Sequence, residues 1–297
     1  MSMGILVFDR HAWYNIMMKK LEFSKLQGCG NDYVYFDCTR NPIEDPGGLA
    51  VRLSDRRFSI GGDGVILICP SDAADAKMRM FNADGSEGKM CGNGIRCVAK
   101  FLYDKRIVDK TEMDIETLSG VKKLRLNVRE GLCESVCVDM GKAELDPRKI
   151  PVRIGGDRVV SYDVNIGGTG YKITCVSMGN PHCVVFTGDP AALDLPAIGP
   201  LFEHSGLFPE GVNTEFVKVI DAETLQMRVW ERGSGETLAC GTGACAAVVA
   251  ACLGGYCQMG RDITVKLPGG ELIVNYTEER VLMTGPAVLT FEGSVYI

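Results

Sequence analysis

The sequence of 297 residues predicts an α+β protein built from two similar halves. Many short apolar runs between Gly, Pro and Asp indicate strands, whereas few stretches have helical periodicity. Residues 82–102 (NADGSEGKMCGNGIRCVAKFL) and 231–253 (ERGSGETLACGTGACAAVVAACL) share a polar lead-in, Cys-Gly-x-Gly and a following run typical of a helix. Cys91 and Cys240 lie about half a chain length apart, which indicates internal duplication.

Strand candidates occur along the whole chain and are bounded by turn residues. In chain order they are DYVYFDC, GVILICP, MRMFN, KKLRLNV, SVCVDM, CVVFTG, EFVKVI, LQMRVW, DITVKL and ELIVNY. The chain therefore consists mainly of strands, with a small number of helices to cover them.

The two convincing helices each begin directly after Cys-Gly-x-Gly. The helix after Cys91 carries an apolar face that includes Ile95 and Leu102 at helical spacing. Residues 244–253 are apolar on every side, which suits a helix enclosed by sheet. Each cysteine is thus predicted at a helix N-terminus.

The duplication also predicts the domain limits. SKLQGCGNDYVYFD and VCVDMGKAEL in the first half resemble VSMGNPHCVVF and VLMTGPAVL in the second. We expect one domain at residues 21–145, carrying Cys91, and another at 146–297, carrying Cys240, whose last strand can return to the first domain. Residues 1–20 are predicted to be a disordered extension, or the product of an early start upstream of Met18.

Composition excludes several classes of protein. A net charge of −6 and a pI near 5.3 argue against a nucleic-acid partner, because phosphate binding needs a basic face. No apolar run approaches the roughly 20 residues that span a bilayer, and the first residues lack the order of a secretory signal. We therefore expect a cytoplasmic protein whose 13 cysteines are reduced.

A thiol at a helix N-terminus can act as nucleophile, redox centre, metal ligand or acid/base group. Zinc bound by Cys91, Cys97, Cys240 and Cys245 would need tighter spacing than this chain has, and Cys97 and Cys245 suit a core. A redox motif would need Cys-x-x-Cys, which is absent from the sequence. A cysteine protease with His182 as base leaves the second cysteine unexplained.

A two-base racemase or epimerase explains the symmetry directly. Inverting a tetrahedral carbon requires one group that removes a proton from one face and another that delivers a proton to the opposite face. The glycines let backbone N–H groups approach a bound carboxylate, which helix N-termini favour, so neither a metal nor another cofactor is required.

The motifs resemble those of the diaminopimelate epimerase family from about residue 21 to residue 293. They are GCGNDY (28–33), FNADGSEGKMCGNGIRC (81–97), SMGNPHCV (177–184), ERGSGETLACGTGACAA (231–247), and LPGG and MTGPA near the end. The resemblance implies cofactor-independent conversion of LL-2,6-diaminopimelate to the meso form. It also implies a homodimer of chains with two pseudo-symmetric domains, each a curved, mostly antiparallel sheet around a central helix.

The resemblance implies a role for each matching residue. Cys91 and Cys240 correspond to the acid/base pair, and His182 and Glu231 to groups that adjust thiol protonation. The substrate contacts implied are Asn31, Asn82, Gly92, Asn93, Asn180, Asn213, Glu231, Arg232, Gly241 and Thr242. One departure is Gly64, where many relatives have Gln.

Other interpretations stay open for these residues. Asn31 and Asn180 each lie beside Gly and could simply hold turns, and Glu231 with Arg232 could be a surface ion pair. A proline or hydroxyproline racemase would also use two cysteines, but it would not need Arg232 to bind a distal carboxylate. A noncatalytic amino-acid-binding protein would tolerate Cys91→Ser and Cys240→Ser.

Overall fold

The computed structural model describes residues 19–297, and most of the predicted N-terminal extension lies outside them. The α-helices are α1 (Pro46–Leu53), α2 (Gly92–Asp104), α3 (Leu195–Glu203) and α4 (Gly241–Leu253), with a 3-10 turn at Pro190–Ala192. The strands are β1 (Lys20–Gly28), β2 (Asn31–Asp37), β3 (Gly64–Cys69), β4 (Ala76–Asn82), β5 (Glu87–Gly88), β6 (Glu112–Thr117), β7 (Gly120–Arg129), β8 (Leu132–Gly141), β9 (Tyr162–Ile166), β10 (Thr169–Ser177), β11 (Pro181–Phe186), β12 (Asn213–Asp221), β13 (Thr224–Glu231), β14 (Gly235–Thr237), β15 (Asp262–Leu267), β16 (Gly270–Tyr276), β17 (Val281–Pro286) and β18 (Val288–Tyr296).

The two halves repeat one pattern of strand pairing. In the first, β1–β2 is antiparallel, β2–β3 parallel and β3–β4 antiparallel, and β4 pairs antiparallel with β5 and parallel with β6. In the second, β10 to β15 pair in the same order and directions. Antiparallel β6–β7–β8 and β15–β16–β17 then complete each half. The α+β class and the pseudo-symmetry predicted from the repeat are confirmed.

Two pairings connect the halves. β8 pairs antiparallel with β17 and makes the sheet continuous. β18 pairs with β1, in the position that β9 takes on β10. The last strand therefore lies beside the first half, while the domain limits at residues 145 and 146 stay a prediction.

Each half encloses one central helix. α2 packs against β1, β2, β7 and β8, and α4 packs against β10 to β13 and β16. Both helices contribute to one continuous core, and α4 is buried from Gly243 to Ala251 because its residues are small and apolar on all sides. Within residues 19–297, none of the helices has the length and apolar character needed to cross a membrane.

The N-termini of α2 and α4 meet at two glycines. A Cβ on Gly241 would lie 3.1 Å from Met283 Sδ and 3.7 Å from Gly92 Cα. A Cβ on Gly92 would lie 2.9 Å from Met283 Cε. A side chain at either position would press on Met283, which contacts both helix N-termini, so the first glycine of each Cys-Gly-x-Gly motif lets the two ends pack against this methionine.

We expect Leu102→Ala to lower the free energy of unfolding by about 3 kcal/mol, because Leu102 on α2 is fully buried and its truncation leaves a cavity. Leu118→Ala is the matched control: its side chain is 54% exposed, and we expect a change within about 0.5 kcal/mol. Urea denaturation of both variants measures the difference, and equal losses would contradict the enclosed position of α2.

Candidate active site

Cys91 is the N-cap residue of α2. Its Sγ accepts a hydrogen bond from the Gly94 N–H at 3.3 Å, and its thiol donates to Asn31 Oδ1 at 3.2 Å. An N-cap side chain normally binds the free N–H groups of the first turn through oxygen. Here a partly exposed sulfur takes that position, at the positive end of the helix dipole.

Cys240 occupies the equivalent position on α4. Its Sγ accepts from the Gly243 N–H at 3.3 Å and lies 3.5 Å from Thr242 Oγ1. Cys240 is only 5% exposed, so it is more deeply enclosed than Cys91. The two thiols therefore have matching backbone settings and different surroundings.

The second glycine of each frame keeps the first helical turn close to the thiol. A Cβ on Gly94 would lie 2.7 Å from Ile66 Cδ1, and a Cβ on Gly243 would lie 2.6 Å from Glu215 Oε1. A side chain at either position would therefore have to displace Ile66 or Glu215, which lie against the turn whose N–H binds the sulfur.

Asn31 and Asn93 join Cys91 to the surrounding structure. Asn31 Oδ1 accepts from the Cys91 thiol and from Asn93 Nδ2 at 3.3 Å, and Asn31 Nδ2 donates to Asp63 Oδ2 at 2.7 Å. Asn93 Nδ2 also lies 3.4 Å from the carbonyl oxygen of Ala239, the residue before Cys240. Hydrogen bonds thus connect Cys91, through Asn31 and Asn93, to the residue that precedes Cys240.

Asn180 and His182 lie on the Cys240 side. Asn180 Nδ2 donates to Thr242 Oγ1 at 3.3 Å, and Asn180 Oδ1 lies 3.0 Å from His182 Nε2. His182 Nδ1 lies 2.7 Å from Glu215 Oε1, and both side chains are fully buried. Because an amide oxygen only accepts, Nε2 carries a hydrogen in this arrangement. A chain of polar contacts therefore runs from Glu215 to Thr242, next to Cys240.

Asn213, Glu231 and Arg232 lie together at the end of β13, and in the chain Glu231 and Arg232 come just before the second Cys-Gly-x-Gly motif. Asn213 Oδ1 accepts from the backbone N–H of Arg232 at 3.0 Å, and Asn213 Nδ2 donates to the Pro181 carbonyl at 2.8 Å. The Arg232 guanidinium donates to the Glu210 carbonyl at 2.8 Å, whereas Glu231 accepts from Thr237. The side chains of Glu231 and Arg232 thus have different partners, rather than forming a surface ion pair.

Asn82 has a local role in this structure. Its Nδ2 donates to Ser86 Oγ at 3.0 Å, across the turn between β4 and β5. Gly64 pairs with Asn82 in the β3–β4 ladder, and a Cβ there would lie 2.0 Å from the Phe81 carbonyl oxygen. A side chain such as Gln at position 64 would therefore require a different local backbone.

Burial controls the ionisation of both thiols. It raises the pKa of Cys91, against hydrogen bonds from the N–H groups of Gly94 and Asn93. It raises the pKa of Cys240 well above its usual value, and the carboxylates of Glu231 and Glu215 add to the increase. A positive charge or a donor near either sulfur would favour thiolate.

Two carboxyl groups near Cys240 are themselves difficult to ionise. Burial raises the pKa of Glu231, although hydrogen bonds from Thr237 and Cys240 oppose the increase. Burial also raises the pKa of Glu215, against the opposing effect of His182. Glu215 Oε2 is buried without a hydrogen-bond partner among residues 19–297. The environment of Cys240 therefore disfavours negative charge on these carboxyl groups as well as on the thiol.

The zinc alternative has no support in the part of the chain that the structure describes. No group of three or more His, Cys, Asp or Glu side chains there could hold a metal ion. Cys97 and Cys245 are both fully buried in the core, as predicted.

Sequence reasoning missed Glu215 and Asp63. Glu215 lies in the apolar strand EFVKVI, where a carboxylate at an inward position signals a buried polar contact. Asp63 lies in GGDG beside Gly64, and its contact with Asn31 joins segments separated by 32 positions. Neither partner could be identified from local spacing.

Solved structures share this architecture. The chain resembles a hydroxyproline epimerase from Agrobacterium vitis with bound trans-4-OH-L-proline (TM-score 0.67, 15% identity, 94% of this chain and 93% of that one). It also resembles a methylitaconate-delta-isomerase (TM-score 0.65, 14% identity, 94% and 96%). The fold is therefore one that epimerases and isomerases use, and it holds here a pair of helix-capping thiols.

Sequence comparison identifies the family to which the chain belongs. The diaminopimelate epimerase family model matches residues 23–145 and 174–290. Proteins named diaminopimelate epimerase match at 51% identity in Acetivibrio thermocellus (93% of this chain, 98% of that one) and 52% in Desulfovibrio desulfuricans (95% and 100%). This chain belongs to the diaminopimelate epimerase family and is an epimerase, which confirms the resemblance in its motifs.

We expect Glu215→Ala to lower the free energy of unfolding by about 3 kcal/mol, because it leaves the buried His182 Nδ1 without its partner. Glu215→Gln retains a hydrogen-bonding group of the same shape and should cost less. Denaturation at neutral pH measures both changes. If the alanine variant is no less stable than the glutamine variant, the contact between Glu215 and His182 does not stabilise the fold.

Proposed function

We propose that the protein converts LL-2,6-diaminopimelate to the meso isomer, with Cys91 and Cys240 as its two acid/base groups and no cofactor. The observation that carries this proposal is the matched position of the two thiols. Both cap central helices whose N-termini meet at Gly92 and Gly241. A single α-carbon between them would have one sulfur on each face.

The reaction needs one thiolate and one thiol. The thiolate removes the α-proton, and the opposite thiol delivers a proton to the other face, so the two sulfurs exchange protonation states in each turnover. The free N–H groups at the helix ends stabilise the charge that moves onto the substrate carboxylate as the α-proton leaves. We assign that carboxylate to the backbone of Gly92, Asn93, Gly241 and Thr242.

The remaining polar residues provide recognition of the distal amine and carboxylate. We assign these contacts to Asn31, Asn82, Asn180, Asn213, Glu231 and Arg232. The Arg232 guanidinium binds a backbone carbonyl in this structure and is exposed, so it is available to a carboxylate at the entrance. A proline or hydroxyproline racemase has no distal carboxylate, and the family match favours diaminopimelate.

His182 and Glu231 are proposed to adjust the protonation of Cys240. The Glu231 carboxylate raises the pKa of Cys240, and Glu231 is itself difficult to ionise. His182 reaches Thr242 through Asn180. Thr242 can then donate to a Cys240 thiolate, because its oxygen already accepts from Asn180.

In deuterium oxide, LL-diaminopimelate incubated with the protein under reducing conditions and without added cofactor should acquire α-deuterium and yield the meso isomer. Cys91→Ser and Cys240→Ser should each lower kcat by about 100-fold or more, because each removes one acid/base group. Mass spectrometry and chiral chromatography measure both products.

Cys252→Ala is the matched control, since Cys252 lies on α4 far from its N-terminus and should retain wild-type turnover. Absence of α-deuterium with the wild-type protein would refute the proposed reaction. Retention of epimerase activity in either serine variant would refute the two-thiol mechanism.

We also propose that the protein is a cytoplasmic homodimer that associates through β18. Residues 288–292 of β18 are exposed, and they include Val288, Leu289 and Phe291. Apolar side chains along one strand suit contact with a second copy.

All 13 cysteines are free, and a reducing compartment would keep the two reactive thiols in that state.

Leu289→Glu should shift the dimer toward monomer, because it introduces a charge into the apolar surface of β18. Leu118→Glu is the control, since Leu118 is similarly exposed but lies in the turn between β6 and β7. Sedimentation equilibrium measures the masses. A wild-type monomer, or a Leu289→Glu dimer as stable as wild type, would contradict this interface.

A further inference from the structure

Arg96 is a fully buried arginine on α2, five residues after Cys91. Its Nε donates to the Pro286 carbonyl at 3.2 Å, its Nη1 to the Gly92 carbonyl at 3.1 Å, and its Nη2 to Asn93 Oδ1 at 3.0 Å. All these acceptors are uncharged. A buried cation without a carboxylate partner is costly, and arginine stays protonated in proteins.

Two glycines make room for this side chain. A Cβ on Gly28 would lie 2.9 Å from Arg96 Nη2, and a Cβ on Gly285 would lie 2.9 Å from Arg96 Cζ. The guanidinium is therefore enclosed between the end of β1 and β17, rather than directed toward solvent. Its position is fixed by packing as well as by hydrogen bonds.

The two copies of the repeat differ at the position of Arg96. When Cys91 is aligned with Cys240, Arg96 corresponds to Cys245 on α4. Only α2 therefore carries a cation near its N-terminus, where the helix dipole already disfavours positive charge. Both the burial and the dipole disfavour Arg96 unless negative charge develops nearby.

A series of hydrogen bonds connects Arg96 to Cys91. Asn93, which accepts from Arg96, donates to Asn31 Oδ1, and that oxygen accepts from the Cys91 thiol. Arg96 also binds the Gly92 carbonyl, which belongs to the peptide whose N–H is that of Asn93. The guanidinium therefore orients the amide and the peptide nearest to this sulfur.

We propose that Arg96 is a positioning residue for the Cys91 side of the site: it holds Asn93 and the Gly92 peptide in place and supplies a fixed positive charge that favours the Cys91 thiolate. This role rests on the proposed function, in which Cys91 must be a thiolate in one direction of the reaction. The counter-charge that Arg96 lacks among residues 19–297 is then provided by the reacting site.

The other ionisable groups around the two side chains are spread over several elements. Those facing Cys91 are Tyr33 and Tyr35 on β2, Cys97 on α2 and Glu231 on β13, whose carboxylate raises the pKa of Cys91. Arg96 also faces Cys29 and Cys245, and its charge lowers the pKa of both thiols against the larger effect of burial. Arg96 is thus the cation in this group that lowers the pKa of Cys91.

The test is the pH dependence of iodoacetamide labelling at Cys91 in the full chain, mapped by mass spectrometry. Removal of a nearby cation raises a thiol pKa, so Arg96→Met should move the labelling midpoint to higher pH. A shift of about one unit lowers the labelling rate below the midpoint about tenfold. The labelling midpoint of Cys240, measured in the same digest, should shift less than that of Cys91. In the Arg96→Lys variant, the Cys91 midpoint should stay close to that of wild type.

Lys100→Met is the matched control, because Lys100 lies one turn further along α2 and pairs with Asp104 at 2.7 Å. Its Cys91 midpoint should equal that of wild type. A folded Arg96→Met variant with an unchanged Cys91 midpoint would overturn the proposal.

If Arg96→Met does not fold, Arg96→Gln and Arg96→Lys replace it. The glutamine variant should have the higher midpoint, and equal midpoints would overturn the proposal. Labelling requires no turnover, so these results are independent of the deuterium experiment that tests the reaction itself.

Discussion

The structure depends on the contact between two helix N-termini, at Gly92 and Gly241. Each helix is enclosed by its own half of the sheet, and the β8–β17 ladder holds the halves together. Since neither glycine has a side chain, the helix ends approach until backbone and Met283 are in contact. The thiols that cap those ends are placed by the same contact.

This arrangement makes the dipoles of both helices act on one region. The free N–H groups favour negative charge, whereas burial opposes it, and burial is the larger effect on both thiols. Because burial acts on both thiols in the same direction, neighbouring side chains decide how the pKa of one thiol differs from that of the other. Glu231 disfavours the thiolate at both sulfurs and Glu215 disfavours it at Cys240, whereas Arg96 favours the Cys91 thiolate. A symmetric backbone thus holds an asymmetric electrostatic environment.

The polar residues differ in how far local sequence could place them. Cys91 and Cys240 were predictable because a cap lies next to its own helix. Asn31 and Asn180 were identified through the resemblance, and the structure adds their contacts with Cys91, Asn93 and Thr242. Glu215 was not predictable, because its contact with His182 joins β12 to β11 across a parallel pair.

The sequence by itself determined the α+β class, the duplication and the two capping thiols, because periodicity, repeats and caps are local properties. It also identified the family, since the motifs are long and cover most of the chain. Only the tertiary structure decided which residues surround each thiol, why Gly64 cannot carry a side chain here, and that Arg96 is buried with no carboxylate partner in the part of the chain that the structure describes. Those outcomes depend on segments far apart in the chain, whose approach is set by packing.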